Sequence, residues 1–318
     1  MKVQKMSHKM RRSAYFFIGL LLLAAALASA PQGVQAAATA REEVFASPGK
    51  AALALVDALR ADDRAALQKI FGKQSHDLLS SGDPVADRNA VQHFLRAYEQ
   101  MHRFRYGDDG RLYLLVGADN WPMPIPLARG AAGWHFDTAA GAQELLFRRI
   151  GANENNAIEV CRTIVAAEHV YAGQAHDGNP AGRFARKFLS APGKQDGLFW
   201  PVKPGEPESP IGPLVAAAAQ EGYTAGHKGK RAPYHGYYFR ILLQSASKPQ
   251  AADDTAGGFL VLAYPAKFGS SGIMTFVATA DGAVYEKDLG AQVPPMAASF
   301  LAYRPDKSWQ MVQAPPGT

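Results

Sequence analysis

Apolar residues recur along this chain first with a helical period and then with a period of two. Ser47-Pro48 joins a capping side chain to a proline at the first helical position, and Ala52, Leu55, Val56 and Leu59 follow at helical spacing. Asp62 restarts the helix and Gly72 stops it. Asp83-Pro84 repeats the start signal before Val91, Phe94, Leu95, Tyr98 and Met101, one apolar stripe ending near His102. Three helices are therefore predicted. Extended segments follow at 103–106, at 112–116 beyond the turn Gly107-Asp108-Asp109-Gly110, at 121–127, and at Trp134-His135-Phe136-Asp137. Pro122, Pro124 and Pro126 remove a backbone donor at every second position of 121–127, which confines that strand to an edge.

The pattern then returns to helix. A short helix over 141–150 should end at Gly151, and Asn153 should cap a longer one reaching about Ala172, with Ala157, Val160, Cys161, Ile164, Ala167 and Tyr171 on its apolar face. Glu168 falls inside this stripe, about 40° round from Ile164, so its carboxylate must be paired or raised in pKa if buried. Prolines 201, 204, 207, 210 and 213 keep a three-residue period, which predicts an extended polyproline strap on the surface. Pro213 opens a last helix closed by Gly222. Strands are expected at 236–244, 258–264, 272–279 and 284–287, with Asp281-Gly282 forming a two-residue type I′ hairpin.

The fold class is thus α+β: helices and a curved antiparallel sheet, then a long helix and an antiparallel meander. The element order resembles the cystatin-like or NTF2-like cone in the first part. The second part resembles the globular part of type IV pilins, through its amphipathic helix, the strand at Gly236-Tyr237-Tyr238-Phe239 and the closing hairpin. The head of the chain lacks the processing site and continuous helix of a prepilin, so only the fold is implied. The division expected is 1–36, 37–140, 141–290 and a tail over 291–318.

Charge changes the picture at the N-terminus. Lys2, Lys5, Lys9, Arg11 and Arg12 precede an apolar run over 14–28, the pattern of a secretory signal peptide. Cleavage is expected after Ala36, because the earlier small-residue triplet ending at Ala30 is followed by Pro31. The run is short against the ~20 residues that span a bilayer, so no membrane span is expected once it is removed. Of 318 residues, 34 are Lys or Arg and 28 Asp or Glu; loss of 1–36 leaves 29 and 28, a net charge of +1. That balance argues against a nucleic-acid partner. A lone Cys161 forms no intrachain disulfide, so the export signal points to a bacterial periplasm.

Five segments together carry a resemblance to a bacterial secreted family, domain of unknown function 2950. They are Leu79-Ser80-Ser81-Gly82-Asp83-Pro84-Val85-Ala86-Asp87, Asp119-Asn120-Trp121-Pro122, Gly133-Trp134-His135-Phe136-Asp137, Pro192-Gly193-Lys194-Gln195-Asp196-Gly197-Leu198-Phe199-Trp200-Pro201 and Pro233-Tyr234-His235-Gly236-Tyr237-Tyr238. The resemblance spans about 48–290. It implies a Gram-negative envelope setting and no particular activity. Where the family pattern has a run of acids after the long helix, this chain retains only His176-Asp177-Gly178-Asn179.

Motifs of catalysis are weak. Ser-x-x-Lys occurs at Ser47 and at Ser245, as often as chance provides, and its companion motifs are missing. No His-Glu-x-x-His is present, and Glu168, His169 and His176 lack the spacing zinc requires. Gly269-Ser270-Ser271-Gly272 is a turn, and Asp62-Asp63, Asp108-Asp109 and Asp253-Asp254 sit where solvated carboxylates are normal. The richest constellation is Tyr234 to Arg240: alternation puts Tyr234, Tyr238 and Arg240 on one strand face and His235, Tyr237, Phe239 and Ile241 on the other. Two phenols and a guanidinium suit a sugar ring, a carboxylate or a partner aromatic, and ordinary cross-strand packing suits them too. Trp121 and Trp200, each before a proline, are similar candidates. The expectation is a cofactor-free, non-catalytic module binding an envelope component or another exported protein, with Trp121, Glu168, Trp200, Tyr234, His235, Tyr238 and Arg240 as contact residues. The alternative is an envelope hydrolase with a dispersed acid and base, Glu168 and His235 being its first candidates.

Overall fold

The predicted start signals act as their chemistry requires. Ser47 Oγ accepts the Lys50 N–H at 3.2 Å at the head of α1 (Pro48–Arg60), which accounts for Ser47 without any catalytic role. Asp63 caps α2 (Arg64–Phe71), one residue later than expected, because Asp62 turns the chain at φ 49°. A five-residue helix, α3 (Ser75–Leu79), is too short to have shown a period in the sequence, and α4 (Pro84–Gln100) follows, capped by Asp83. The coordinates are a computed structural model that describes residues 42–72, 75–224, 232–243, 258–292 and 306–313. The leader 1–36, the Ser245–Lys248 motif and Asp253-Asp254 lie outside the described residues.

The first sheet contains β1 (His102–Tyr106), β2 (Leu112–Val116), β3 (Trp121–Pro122), β4 (Leu127–Gly130) and β5 (Gly133–Phe136). It is antiparallel in the order β1-β2-β4-β5, with β3 also on β2. The strand expected over 121–127 is split in two: Met123 still donates to Leu114 O at 2.8 Å, but Pro124 and Pro126 have no N–H to continue the ladder. Leu55, Ile70, Leu114, Leu127 and Phe136 fill the core between this sheet and the helices.

A single helix, α5 (Thr138–Ala172), replaces the two expected, and it crosses the position at which the pattern divides the chain. Asp137 caps it by accepting the Ala140 N–H at 3.1 Å, whereas Asn153 sends its side-chain amide to Ser271 O at 2.8 Å. Gly151 costs about 1 kcal/mol inside a helix, less than the burial of Ala157, Val160, Cys161, Ile164 and Tyr171 beyond it returns. Gly141 lets the helix touch the connection between β3 and β4, since a Cβ there would lie 2.4 Å from Ile125 Cα. Thirty-five residues at 1.5 Å each carry α5 about 50 Å, far enough to cover the second sheet as well.

After the short helix α6 (Gly212–Gln220), β6 (Tyr237–Leu243), β7 (Phe259–Pro265), β8 (Met274–Thr279), β9 (Val284–Asp288) and β10 (Gln310–Met311) form an antiparallel meander in the order β10-β9-β8-β7-β6. All seven residues of β7 are buried, so both faces of the sheet are covered. On one face Tyr237, Val261 and Phe276 meet Cys161, Ile164 and Tyr171 of α5. On the other Leu242, Leu260, Leu262 and Tyr264 pack with Tyr238 and Trp309. The region expected as a tail thus supplies both a strand and a core tryptophan. Asp281-Gly282 lies in a three-residue loop, 280–282, because only Gly282 takes positive φ and Asp281 accepts the Ala283 N–H. Pro201, Pro204 and Pro207 are exposed as expected of a strap, but Glu206 donates to Lys203 O at 3.0 Å with Gly205 at φ 88°, which breaks the polyproline period. Two antiparallel sheets with segregated helices make this an α+β protein. Among the described residues no helix is long and apolar enough to cross a membrane.

Candidate functional site

Two of the five resemblance segments meet at Asp83. Its Oδ1 accepts the Val85 and Ala86 N–H groups, each at 3.1 Å, and its Oδ2 accepts the Gly236 N–H at 2.9 Å and the Tyr223 hydroxyl at 3.0 Å. Asp83 is fully buried, so four donors compensate its desolvation. The donor from β6 comes from a tight turn in which Tyr234 and Tyr237 exchange backbone bonds of 2.8 and 3.1 Å around His235 and Gly236, at φ 47° and 76°. This is the two-residue turn with both central residues left-handed that the sequence suggested at Asp281-Gly282. Gly236 is demanded there twice, because a Cβ would also lie 2.5 Å from Asn153 Nδ2.

The same turn lifts His235 to the rim, where its Nε2 lies 3.1 Å from Glu221 Oε2 while its backbone N–H donates to Tyr223 Oη at 3.2 Å. Tyr234 packs against both rings, with centroids at 4.8 Å from Tyr223 and 4.2 Å from His235. Burial first and the Glu221 charge second push the Tyr234 phenol up to about 12, and burial with the Asp83 charge pushes Tyr223 higher still. Both phenols therefore stay protonated at neutral pH and serve as donors. The side-chain oxygens of Asp83 and Tyr223 are all bonded and tie the head of α4 to the segment after α6 and the turn before β6. The cluster is a structural junction with a half-exposed Glu221–His235 pair at its edge.

The remaining candidates are scattered. Glu168 is fully inaccessible on α5; its Oε2 accepts the Ala185 N–H at 2.7 Å, its Oε1 has no partner, and burial pushes its carboxyl up to about 8. It is thus a buried member of the stripe whose environment favours the protonated carboxyl, and it is not among the residues lining the cleft beside β6. Trp200 is half-buried with its ring centroid 5.4 Å from His176, which itself stacks on Tyr171 at 4.1 Å and contacts Gln195. That loop also uses Asp177 to accept the Gln195 N–H, and no group of three metal-ligating residues occurs among the described residues. Trp121 remains exposed on β3 with the Arg148 guanidinium 5.4 Å above its ring. Tyr238 lies against Tyr264, ring centroids 5.5 Å apart, on a face that is core. Tyr234 belongs to the turn and not to the strand face of Tyr238 and Arg240, so alternation does not gather these three.

Arg240 stands elsewhere, on the wall of an open cleft of about 230 Å³ lined by Arg186, Lys187, Phe188, Phe239, Arg240 and Ile241. The loop supplying Arg186 to Phe188 is fixed from behind, because Leu198 donates to Lys187 O and Phe199 to Phe188 O at 3.1 and 2.7 Å. Lys187 also pairs with Asp196 at 2.9 Å. No described group pairs with the Arg240 guanidinium. Sequence reasoning found Arg240 but missed the opposite wall, for which Arg-Lys-Phe offered no periodic signal. It also read Asp83 only as a cap and gave Glu221 and Tyr223 no role.

Among protein families, the one described as Protein of unknown function (DUF2950) matches residues 42–312. Comparison with curated proteins and with solved structures gives no match.

Proposed function

We propose that this chain, which belongs to the family described as Protein of unknown function (DUF2950), is a non-catalytic binding or assembly module that works in the cell envelope after export. The observation that carries this reading is the cleft beside β6. It sets apolar walls, Phe188, Phe239 and Ile241, beside the Arg240 guanidinium, with Arg186 and the Asp196-bonded Lys187 on the opposite wall, a lining that suits an anionic partner. The other polar concentration, around Asp83, has its groups committed to holding the fold together. Periplasmic residence rests on the signal-like leader, whose removal leaves a nearly neutral chain.

The test uses protein purified after export from cells expressing the full-length gene. It is incubated with isolated cell-wall sacculi and with envelope extract under crosslinking, and both retained protein and soluble wall fragments are measured. Retention or a discrete crosslink that Arg240→Glu weakens at least tenfold, with no fragments released, is the expected result. Release of fragments would make the protein a hydrolase, and retention indifferent to Arg240→Glu would remove the cleft from the account.

A further inference from the structure

The occupant of the cleft can be specified further from the hydrogen-bond phase of β6, an inference that rests on the binding reading above. Among the described residues β6 is the last strand of its sheet and pairs only with β7. Ala266 donates to Gly236 O at 2.8 Å, so in this antiparallel register Gly236 faces Ala266 as a hydrogen-bonded pair. The alternation of antiparallel ladders then turns the backbone groups of Tyr238, Arg240 and Leu242 inward to β7, and those of Tyr237, Phe239 and Ile241 outward. Tyr237 confirms the phase, since its N–H and C=O both bond to Tyr234 on the outer side. For Phe239 and Ile241 no described residue provides a backbone partner. These are the two outward residues that line the cleft.

We propose that the cleft is a strand-addition site, in which an extended acidic segment of another polypeptide pairs antiparallel or parallel with the outer edge of β6. The outward N–H and C=O groups of Phe239 and Ile241, which no described residue pairs, fix the segment's backbone, which supplies affinity without sequence demands. Side chains of the segment alternate between the Phe188 side, which is apolar, and the Arg240 guanidinium, which favours a carboxylate. Cations at a sheet edge also guard against aggregation. A guard disfavours every added strand, whereas a recognition site prefers an acidic one, and the two differ in what they bind.

The experiment titrates the intact exported protein with three fluorescent eight-residue peptides. One alternates aspartate with valine, one alternates lysine with valine, and one is the aspartate peptide with alternate backbone nitrogens methylated. The aspartate peptide should bind, with at least tenfold weaker binding by each of the other two and by Arg240→Glu. Ile241→Pro, which deletes one outward N–H, should weaken the aspartate peptide similarly while leaving thermal unfolding of the sheet cooperative; the methylated peptide makes the same point without altering the protein. Equal binding of methylated and unmethylated peptides would overturn strand addition while leaving an anion-binding cleft. Failure of all peptides with Arg240-dependent retention on sacculi would likewise overturn it and leave the binding module. Failure of both would end the two readings together.

Discussion

Glu168 converts a single buried group into a pH profile. It sits one turn before the end of α5, wholly inaccessible, with one oxygen bonded to the Ala185 N–H and the other unpartnered. Desolvation raises its carboxyl from 4.5 to about 8, with the Ala185 bond opposing only in part. Because the folded protein holds this proton more tightly than the unfolded chain, folding takes up a proton between those two values, and stability falls as pH rises through the window. At about 1.4 kcal/mol per pH unit, the folded state loses about 5 kcal/mol between pH 4.5 and pH 8 from this residue, and nothing further above that. Glu168→Gln keeps the shape and the Ala185 contact but has no proton to lose. Urea unfolding at pH 5, 6, 7, 8 and 9 should therefore show the variant gaining steadily on the native protein, from near equality at pH 5 to several kcal/mol at pH 9. Parallel profiles for the two proteins would refute the reasoning, because they would mean that Glu168 titrates alike folded and unfolded.

Asp83→Ala removes a helix cap and leaves the Gly236 N–H and the Tyr223 hydroxyl without their acceptor, which should cost about 3–5 kcal/mol in urea unfolding at neutral pH. Gly236→Ala forces a Cβ to within 2.5 Å of Asn153 Nδ2 at φ 76° and should lower the melting temperature more than Gly151→Ala, where a Cβ meets nothing within 4 Å and the helix should be stabilised by about 1 kcal/mol. Cys161 is fully buried with its thiol raised by desolvation, so it should resist alkylation at pH 8 until the protein unfolds; a fast native reaction would place it on an opening path.

The sequence by itself determined what local chemistry controls. Ser47, Asp83 and Pro84 set helix starts because a side-chain oxygen next to free N–H groups acts within four residues. The Cys161–Tyr171 stripe was legible because a helix facing a sheet must repeat every 3.6 residues, and that same spacing put Glu168 in the core. Tertiary structure decided wherever a residue had a distant partner. Asn153 is a capping type, yet Ser271 O claims its amide and α5 runs on through Gly151. Tyr238 and Arg240 share a strand face as alternation requires, but there Tyr238 packs with Leu242, Leu262 and Trp309 while Arg240 lines the cleft, and Tyr234 lies in a turn beyond their reach. Arg240 gained a setting only when the 186–188 loop came beside an edge strand, and which of its neighbours point outward depends on register, a property of paired strands that one strand's sequence does not contain.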